Sequence, residues 1–287
     1  MTSLQYQAPG SIDEAVAMLA NAGADVRILA GGTDLLVQMR AGTVKPGLIV
    51  DIKNIAEMRE IAQENGGWRV GAAVPGAELG ELEAFVAAWP GITEGFELIG
   101  STQIQGRASM GGNLCNASPA ADSVPALVAA GAICNVAGPN GRRQVPVEQI
   151  PTGPGKTSLA KGELVVSFSL PARPARASDA YLRFIPRTEM DIAVVGCGVN
   201  LVLDGDTVSE ARVSLGAVAP TVLLVEDAAK AIIGSTLDDA AMAKLDAAAQ
   251  AAAKPITDKR GTIEYRTKVA GVLARRAAAI AYERART

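Results

Sequence analysis

Two short glycine-bearing segments, at residues 28–35 and 109–119, most constrain how this chain can fold. The first reads Ile-Leu-Ala-Gly-Gly-Thr-Asp-Leu and the second Ser-Met-Gly-Gly-Asn-Leu-Cys-Asn-Ala-Ser-Pro. Val26 to Ala30 has the pattern of a short buried strand, and Leu35 to Met39 that of the opening of a helix. The remaining Gly-Gly pair, Gly66-Gly67, is typical of a hairpin turn. The first segment therefore predicts a strand-turn-helix junction whose turn lacks Cβ atoms.

Backbone without Cβ atoms at such a junction lets a ligand approach the main chain, and successive amide groups then form a concave site for an anion. Thr33 and Ser109 add hydroxyl donors for phosphate oxygens. Neither segment has the Gly-x-Gly-x-x-Gly spacing of the dinucleotide fingerprint, and no Walker lysine is present. The pattern favours a phosphate-bearing cofactor held by two separated turns. Glycines that only form turns, in a flavin-free scaffolding module, are the alternative interpretation.

Longer runs extend these segments and carry a family resemblance. They are Ala30-Gly31-Gly32-Thr33-Asp34-Leu35, Met110 to Asp122, Gly162-Glu163-Leu164-Val165, Arg187 to Ala193, and Asp258 to Arg266. In this order, over essentially the whole length, they resemble the FAD-binding medium subunit of the molybdenum hydroxylases. That family includes carbon monoxide dehydrogenase medium chains and is similar to the flavin domain of xanthine dehydrogenase.

The resemblance implies an α+β fold with a two-subdomain FAD-binding domain of the PCMH type, as in vanillyl-alcohol oxidase. A small domain with a three-stranded antiparallel sheet and helices follows. We expect the FAD-binding domain over residues 1–175, with subdomains at about 1–55 and 56–175, and the C-terminal flavoprotein domain over 176–287. The break falls in residues 172–178, where proline and small polar residues are typical of a linker.

The resemblance also implies which residues contact FAD. The pyrophosphate would be held chiefly by main-chain N–H groups of two turns, formed by Leu29, Ala30, Gly31, Gly32, Thr33, Asp34 and Leu35, and by Ser109, Gly111, Gly112, Asn113, Cys115 and Asn116. Asp122 would accept a hydrogen bond from a cofactor hydroxyl, or else favour a helix N-terminus. Asp34 would equally cap the helix that begins at Leu35.

Three further positions have implied contacts with the rings of FAD. Ile99 and Val165 would lie near the flavin ring or the adenine end, with core packing as the alternative. Arg183 stands where a relative has lysine. A cation at the pyrimidine edge of the flavin would raise its reduction potential, whereas a solvated strand charge is the alternative for Arg183. Cys115 is interpreted equally as backbone packing against a cofactor and as a core residue.

Composition limits the chemistry of the chain. With no histidine, histidine-based catalysis and metal ligation are excluded within it. Its three cysteines form no Cys-x-x-Cys pair and cannot alone hold an iron–sulfur cluster, and Cys134 and Cys197 are expected in the core. No catalytic or metal-ligating residue is predicted. A net charge of −3 argues against a nucleic-acid partner.

The amino-acid pattern shows neither a signal peptide nor a membrane-spanning run, so we expect a cytoplasmic protein. Local patterns predict helices at Ser11 to Ala20, with Ser11 as N-cap, at Glu78 to Ala88 and at Ala121 to Ala130. Beyond the linker they predict three antiparallel strands, with a hairpin at Asp204-Gly205, and three alanine-rich helices near 226–233, 238–253 and 262–284.

The resulting functional hypothesis is an electron-transfer subunit that carries FAD. The resemblance implies a large molybdenum-binding subunit, a small subunit with [2Fe-2S] clusters, and a dimer of heterotrimers. A free-standing FAD-dependent oxidoreductase is the alternative. Two departures from the family pattern stand out: Gln105-Gly106 replaces an arginine-containing stretch, and Thr33-Asp34 stands where carbon monoxide dehydrogenases carry His-Ser. The second departure puts carbon monoxide as substrate in doubt, and NAD, a quinone and oxygen stay open as acceptors.

Overall fold

A computed structural model describes residues 4–23 and 25–287. The chain begins with a three-stranded parallel sheet of order β1-β3-β2. Its strands and connecting helices are β1 (Gln5–Gln7), α1 (Ile12–Asn21), β2 (Val26–Leu29), α2 (Leu35–Arg40) and β3 (Leu48–Asp51). Ser11 caps α1, since its hydroxyl oxygen accepts a hydrogen bond from the backbone N–H of Glu14 at 3.2 Å. As an edge strand, β2 leaves one side open to a neighbouring ligand.

A five-stranded antiparallel sheet of order β4-β5-β10-β6-β7 follows. Its strands are β4 (Ile61–Glu64), β5 (Gly67–Gly71), β6 (Ile133–Gly138), β7 (Gly141–Pro146) and β10 (Leu164–Leu170). The β4–β5 turn places Asn65 and Gly66 at φ 53° and 76°, which is the left-handed geometry of a tight hairpin. The central strand β10 pairs with β5 on one side and with β6 on the other, and so joins the two hairpins into one sheet.

Six short helices connect the two hairpins of this sheet. They are α3 (Gly76–Gly80), α4 (Glu83–Ala88), α5 (Pro90–Glu97), α6 (Thr102–Gln105), α7 (Met110–Cys115) and α8 (Ser123–Ala129). A small ribbon of β8 (Pro151–Gly153) and β9 (Lys156–Thr157) precedes β10. The connection brings the second glycine segment, at the start of α7, beside the first.

The C-terminal part has a four-stranded antiparallel sheet covered by helices. Its elements are β11 (Ala177–Phe184), β12 (Val195–Asp204), β13 (Thr207–Gly216), β14 (Leu223–Leu224), α9 (Glu226–Ile232), α10 (Asp239–Ala252) and α11 (Ile263–Arg286). The three predicted strands are present as β11–β13, and the two-residue β14 adds a fourth. Gly205 turns the predicted hairpin with φ 58°.

Strand β11 is shared between two hydrophobic cores. Tyr181 packs in the core of the N-terminal part, whereas its neighbour Ala180 packs in the C-terminal core. Alternating side chains of a strand point to opposite faces, so one strand serves both cores. No helix within the described residues is long and apolar enough to cross a membrane.

Two local predictions were wrong. The predicted helix Glu78 to Ala88 is two helices, because α3 ends at Gly80 and Leu82 adopts extended backbone at φ −89°, ψ 90°. The strand Val26 to Ala30 forms but is only partly buried, since β2 is at the edge of its sheet and borders a cavity.

Candidate cofactor site

A cavity of about 1020 Å³ lies beside the edge strand β2 and the two glycine segments. Ligand pockets commonly measure roughly 300–1,000 Å³, so this volume suits a ligand as large as a dinucleotide. Its walls come from three stretches of chain, at residues 19–44, 108–116 and 155–165, with further contributions from Ile52, Ala72 and Ile99. The cavity is therefore formed entirely by the N-terminal part of the protein.

The first glycine segment offers free backbone donors to this cavity. Residues 30–35 all line it, and Gly32 has φ +80°, a conformation that favours glycine. The amide groups of Gly31, Gly32, Thr33 and Asp34 donate to no protein acceptor in the part of the chain that the structure describes. Gly31 is buried, and Gly32 and Thr33 are half-buried. Amides without partners in such positions are rare in proteins, so we expect a ligand to accept from them.

The second glycine segment lines the cavity but has fewer free donors. The amide of Gly111 donates to the carbonyl of Ala72 at 3.0 Å, and that of Gly112 donates to the Ser109 hydroxyl at 3.2 Å. These two amides are therefore already satisfied within the protein. Because they lack side chains, Gly111 and Gly112 instead shape the cavity and let a ligand come close to the backbone. The prediction that this turn binds chiefly through main-chain N–H groups does not extend to these two residues.

Charged groups are sparse in the cavity wall. They are Arg27, Asp34, Lys161 and Glu163. Burial raises the pKa of Asp34. Asp34 occupies the N-cap position of α2, as its alternative interpretation expected, but its carboxylate makes no capping hydrogen bond. The paired Arg143 guanidinium, with both contacts at 2.7 Å, lowers the pKa of Glu163. The wall thus has two basic and two acidic residues, and one of the acidic residues, Glu163, is paired with Arg143.

Most residues predicted from the sequence to contact the cofactor line this cavity. All but Leu29, Asp122 and Arg183 do so, including Ile99, Asn113, Cys115, Asn116 and Val165. Burial raises the pKa of the Cys115 thiol to about 12, so it stays protonated and is no nucleophile. Cys134 and Cys197 are fully buried in strands, as expected. Among residues 4–23 and 25–287, no cluster of candidate metal ligands is present.

Asp122 and Arg183 contact each other rather than the cavity. The Asp122 carboxylate accepts hydrogen bonds from the Arg183 guanidinium at 2.8 Å and from the Tyr181 hydroxyl at 3.1 Å. The Arg183 side chain is 4% exposed, so its interpretation as a solvated charge was wrong. Burial raises the pKa of Asp122 to about 6, against the opposing effects of Arg183 and Tyr181. Their predicted contacts with a cofactor stay predictions.

Several wall residues were not predicted from the sequence. They include Arg27, Gln38, Thr43, Val44, Gly155, Thr157, Leu159 and Lys161. Residues 159–161 come directly before the run Gly162 to Val165, which was identified from the sequence as a family feature. That neighbouring run was the signal that could have pointed to them. Gln38 and Thr43 follow the first glycine segment without any distinctive pattern.

The fold and the cavity define a class of protein: a two-part α+β protein with a large cavity lined by two glycine-bearing turns that lack the Rossmann spacing. Residues 2–173 match the family model described as FAD binding domain in molybdopterin dehydrogenase. Residues 180–281 match the model described as CO dehydrogenase flavoprotein C-terminal domain. Together these matches cover nearly the whole chain.

Individual proteins agree with the family models. The carbon monoxide dehydrogenase medium chain of Hydrogenophaga pseudoflava is 34% identical over 280 residues, covering 98% of this chain and 97% of that one. A putative xanthine dehydrogenase FAD-binding subunit of Escherichia coli is 35% identical over 218 residues, covering 75% of this chain and 74% of that one. The solved CO dehydrogenase of Oligotropha carboxidovorans superposes with a TM-score of 0.95 at 34% identity, covering 98% of each chain.

The chain belongs to the family of FAD-binding medium subunits of the molybdenum hydroxylases. It is accordingly an oxidoreductase flavoprotein subunit whose role is electron transfer within a multi-subunit enzyme. The expected family, fold class and cofactor are confirmed.

Proposed function

We propose that the cavity at β2 holds FAD with its pyrophosphate against the turn of residues 31–34, and that the chain relays electrons through it. The observation that carries this proposal is the row of amides at Gly31, Gly32, Thr33 and Asp34 without protein acceptors in the described chain. Successive N–H groups suit two negatively charged phosphates without requiring lysines. FAD, when bound, supplies the ability to accept electrons singly and release them as a pair.

The chain's own residues suit the other parts of the cofactor. Thr33 adds a hydroxyl donor, and the Ser109 hydroxyl, which accepts from Gly112, keeps its own O–H to donate. Ile28, Ile99 and Val165 provide apolar wall for flat ring systems. Lys161 partly offsets the charge of the phosphates. The wall therefore binds, orients and partly shields the cofactor, and it needs no catalytic residue of its own.

The wider arrangement follows from family membership. We propose that electrons reach this chain from [2Fe-2S] clusters of a small subunit, after substrate is oxidised at a molybdenum cofactor in a large subunit. An external acceptor then takes them from this chain. A dimer of such heterotrimers, a cytoplasmic location, and a division into residues 1–175 and 176–287 belong to the same proposal. Several relatives are named as medium chains or subunits, which supports the existence of both partners.

An anaerobic reduction experiment tests the electron-transfer role. The FAD-loaded chain is mixed with the purified iron–sulfur partner that has been chemically reduced beforehand, and the flavin absorption band is followed. We expect bleaching that is fast with the reduced partner and absent with the oxidised one. If a substrate that reduces the assembled enzyme also reduces the flavin of the isolated chain, this would contradict the proposal and favour a free-standing oxidoreductase.

A further inference from the structure

An amide–amide hydrogen bond joins the two sides of the cavity. The Nε2 of Gln38 on α2 donates to the Oδ1 of Asn116 at the end of α7, at 3.1 Å. Both residues line the cavity, and 78 positions of chain separate them. The bond therefore connects the helix that follows the first glycine segment to the helix that begins within the second.

Helix α2 has no fully buried residue, and only half of its six residues are half-buried. Leu36 and Val37 are 51% and 65% exposed. Its N-cap residue Asp34 makes no capping hydrogen bond. A helix of six residues without a buried face is not stable by itself, so its position depends on specific tertiary contacts.

Gln38 anchors this region through its backbone as well. Its carbonyl oxygen accepts hydrogen bonds from the Thr43 amide at 3.1 Å and the Thr43 hydroxyl at 3.0 Å. The amide of Val44 also donates to it, at 3.4 Å. One residue thus ties α2 both to the loop that follows and, through its side chain, to α7.

We infer that Gln38 is a positioning residue for FAD. Through Asn116 it fixes α2 against α7, and thereby holds the turn of residues 31–34 in place opposite Ser109 and Gly112, between which the pyrophosphate would bind. A site whose donors are held in place before binding loses less conformational freedom when the ligand arrives. This inference rests on the proposed placement of FAD in the cavity.

A double-mutant cycle tests the inference. FAD affinity and the dissociation rate are measured by flavin fluorescence for the full chain and for Gln38→Ala, Asn116→Ala and the double variant. Loss of one hydrogen bond predicts affinity about two- to ten-fold weaker in each single variant. Because both substitutions break the same bond, we expect the double variant to be no weaker than either single one. The exchanged pair Gln38→Asn with Asn116→Gln conserves the combined side-chain length, and we expect it to restore affinity.

Gln144→Ala is the matched control. The Gln144 side chain donates to the Asn135 amide oxygen at 3.0 Å on the β6–β7 hairpin, which is the same type of bond away from the cavity. We expect this variant to bind FAD as the wild type does. Melting temperatures of the FAD-free proteins separate positioning from general stability. We expect the two single variants, the double alanine variant and the exchanged pair to melt close to Gln144→Ala.

Three results would overturn the inference. Wild-type affinity in Gln38→Ala would show that the bond does not matter. Additive losses in the double variant would show that the two side chains act separately, as in direct contact with FAD. An equal loss in Gln144→Ala would show a general stability effect. In each of these results the wild type still binds FAD in the cavity. If the proposed site itself were wrong, a substitution that blocks the cavity would leave FAD affinity unchanged, so the two failures can be told apart.

Discussion

Gly31 and Arg107 meet through their backbones. A Cβ atom on Gly31 would lie 1.9 Å from the carbonyl oxygen of Arg107 and 2.6 Å from its carbonyl carbon. No side chain fits in that space, so only glycine allows the two segments to touch. The contact sets the separation of the two cavity walls at one side, as the bond between Gln38 and Asn116 does at the other.

Gly31→Ala is therefore expected to force the two segments apart. Overpacking of this kind costs about 1–3 kcal/mol in the free energy of unfolding, and FAD affinity is expected to fall as well. Urea unfolding and flavin fluorescence measure the two effects. Gly106→Ala is the control, because Gly106 lies next to Arg107, has φ −64°, and its added Cβ would meet only the carbonyl oxygen of Gln103 at 3.8 Å, an ordinary contact distance. Equal stability of the two variants would contradict this interpretation of the contact.

Tyr181→Phe tests the buried carboxylate Asp122. The Tyr181 hydroxyl donates to Asp122 and favours its ionised form, so the variant is expected to raise the pKa of Asp122 above about 6. A carboxyl whose folded pKa is raised contributes stability that is fully present below its unfolded pKa and lost as pH rises through the folded value. The loss in unfolding free energy, about 1 kcal/mol, is therefore expected to be larger above pH 6 than below it.

Tyr282→Phe is the control for this pH dependence. Its hydroxyl donates to the backbone carbonyl of Asp206 at 2.6 Å, so the acceptor of this bond is not a carboxylate. We expect the same loss of stability on both sides of pH 6. A loss in Tyr181→Phe that is equally independent of pH would show that the hydroxyl does not stabilise the ionised carboxylate.

Arg173 holds the junction between the two parts of the protein. Its guanidinium lies 4.1 Å above the Trp89 ring and 3.0 Å from the carboxylate of Asp179, which is 2% exposed. Arg173→Ala leaves that carboxylate buried without a cation, which typically costs about 3–5 kcal/mol. Urea unfolding is the measurement. Adding Asp179→Asn is expected to recover part of the loss, and a single variant as stable as the wild type would refute the role of this pair.

Asp191 provides a prediction for acid conditions. Its contacts with Arg187 and Arg260, both at 3.2 Å, lower its pKa to about 2. A carboxyl with a lowered folded pKa contributes stability that is present above its unfolded pKa and lost as pH falls through the folded value. Asp191→Asn is therefore expected to melt below the wild type at neutral pH, with a difference that shrinks as pH falls from about 4 towards 2. A constant difference in melting temperature would contradict this.

The predictions that succeeded depend on local chemistry. Ser11 caps its helix, Asn65-Gly66 turns a hairpin and Gly205 turns another, because these residues have strong conformational preferences within a few positions. The glycine segments were informative for the same reason. In each of these cases the physical cause lies within the segment itself.

The parts that sequence reasoning missed depend on distant partners. Asp122 meets Arg183 across 61 positions and Gln38 meets Asn116 across 78, and no local pattern identifies either pair. Asp34 occupies the N-cap position that its residue type favours, but its carboxylate makes no capping hydrogen bond in the folded chain. Residues 159–161 line the cavity together with residues 19–44, which are far from them in the sequence.

FAD binding to Gly112→Val tests the central claim most directly. A Cβ on Gly112 would lie 3.1 Å from the Ser109 hydroxyl oxygen and 3.8 Å from the Cβ of Ala30, so a valine side chain occupies the space between the two walls. We predict stoichiometric FAD in the wild type and a folded, colourless variant with a melting temperature close to that of the FAD-free wild type. A folded variant that binds FAD as tightly as the wild type would show that the pyrophosphate lies elsewhere.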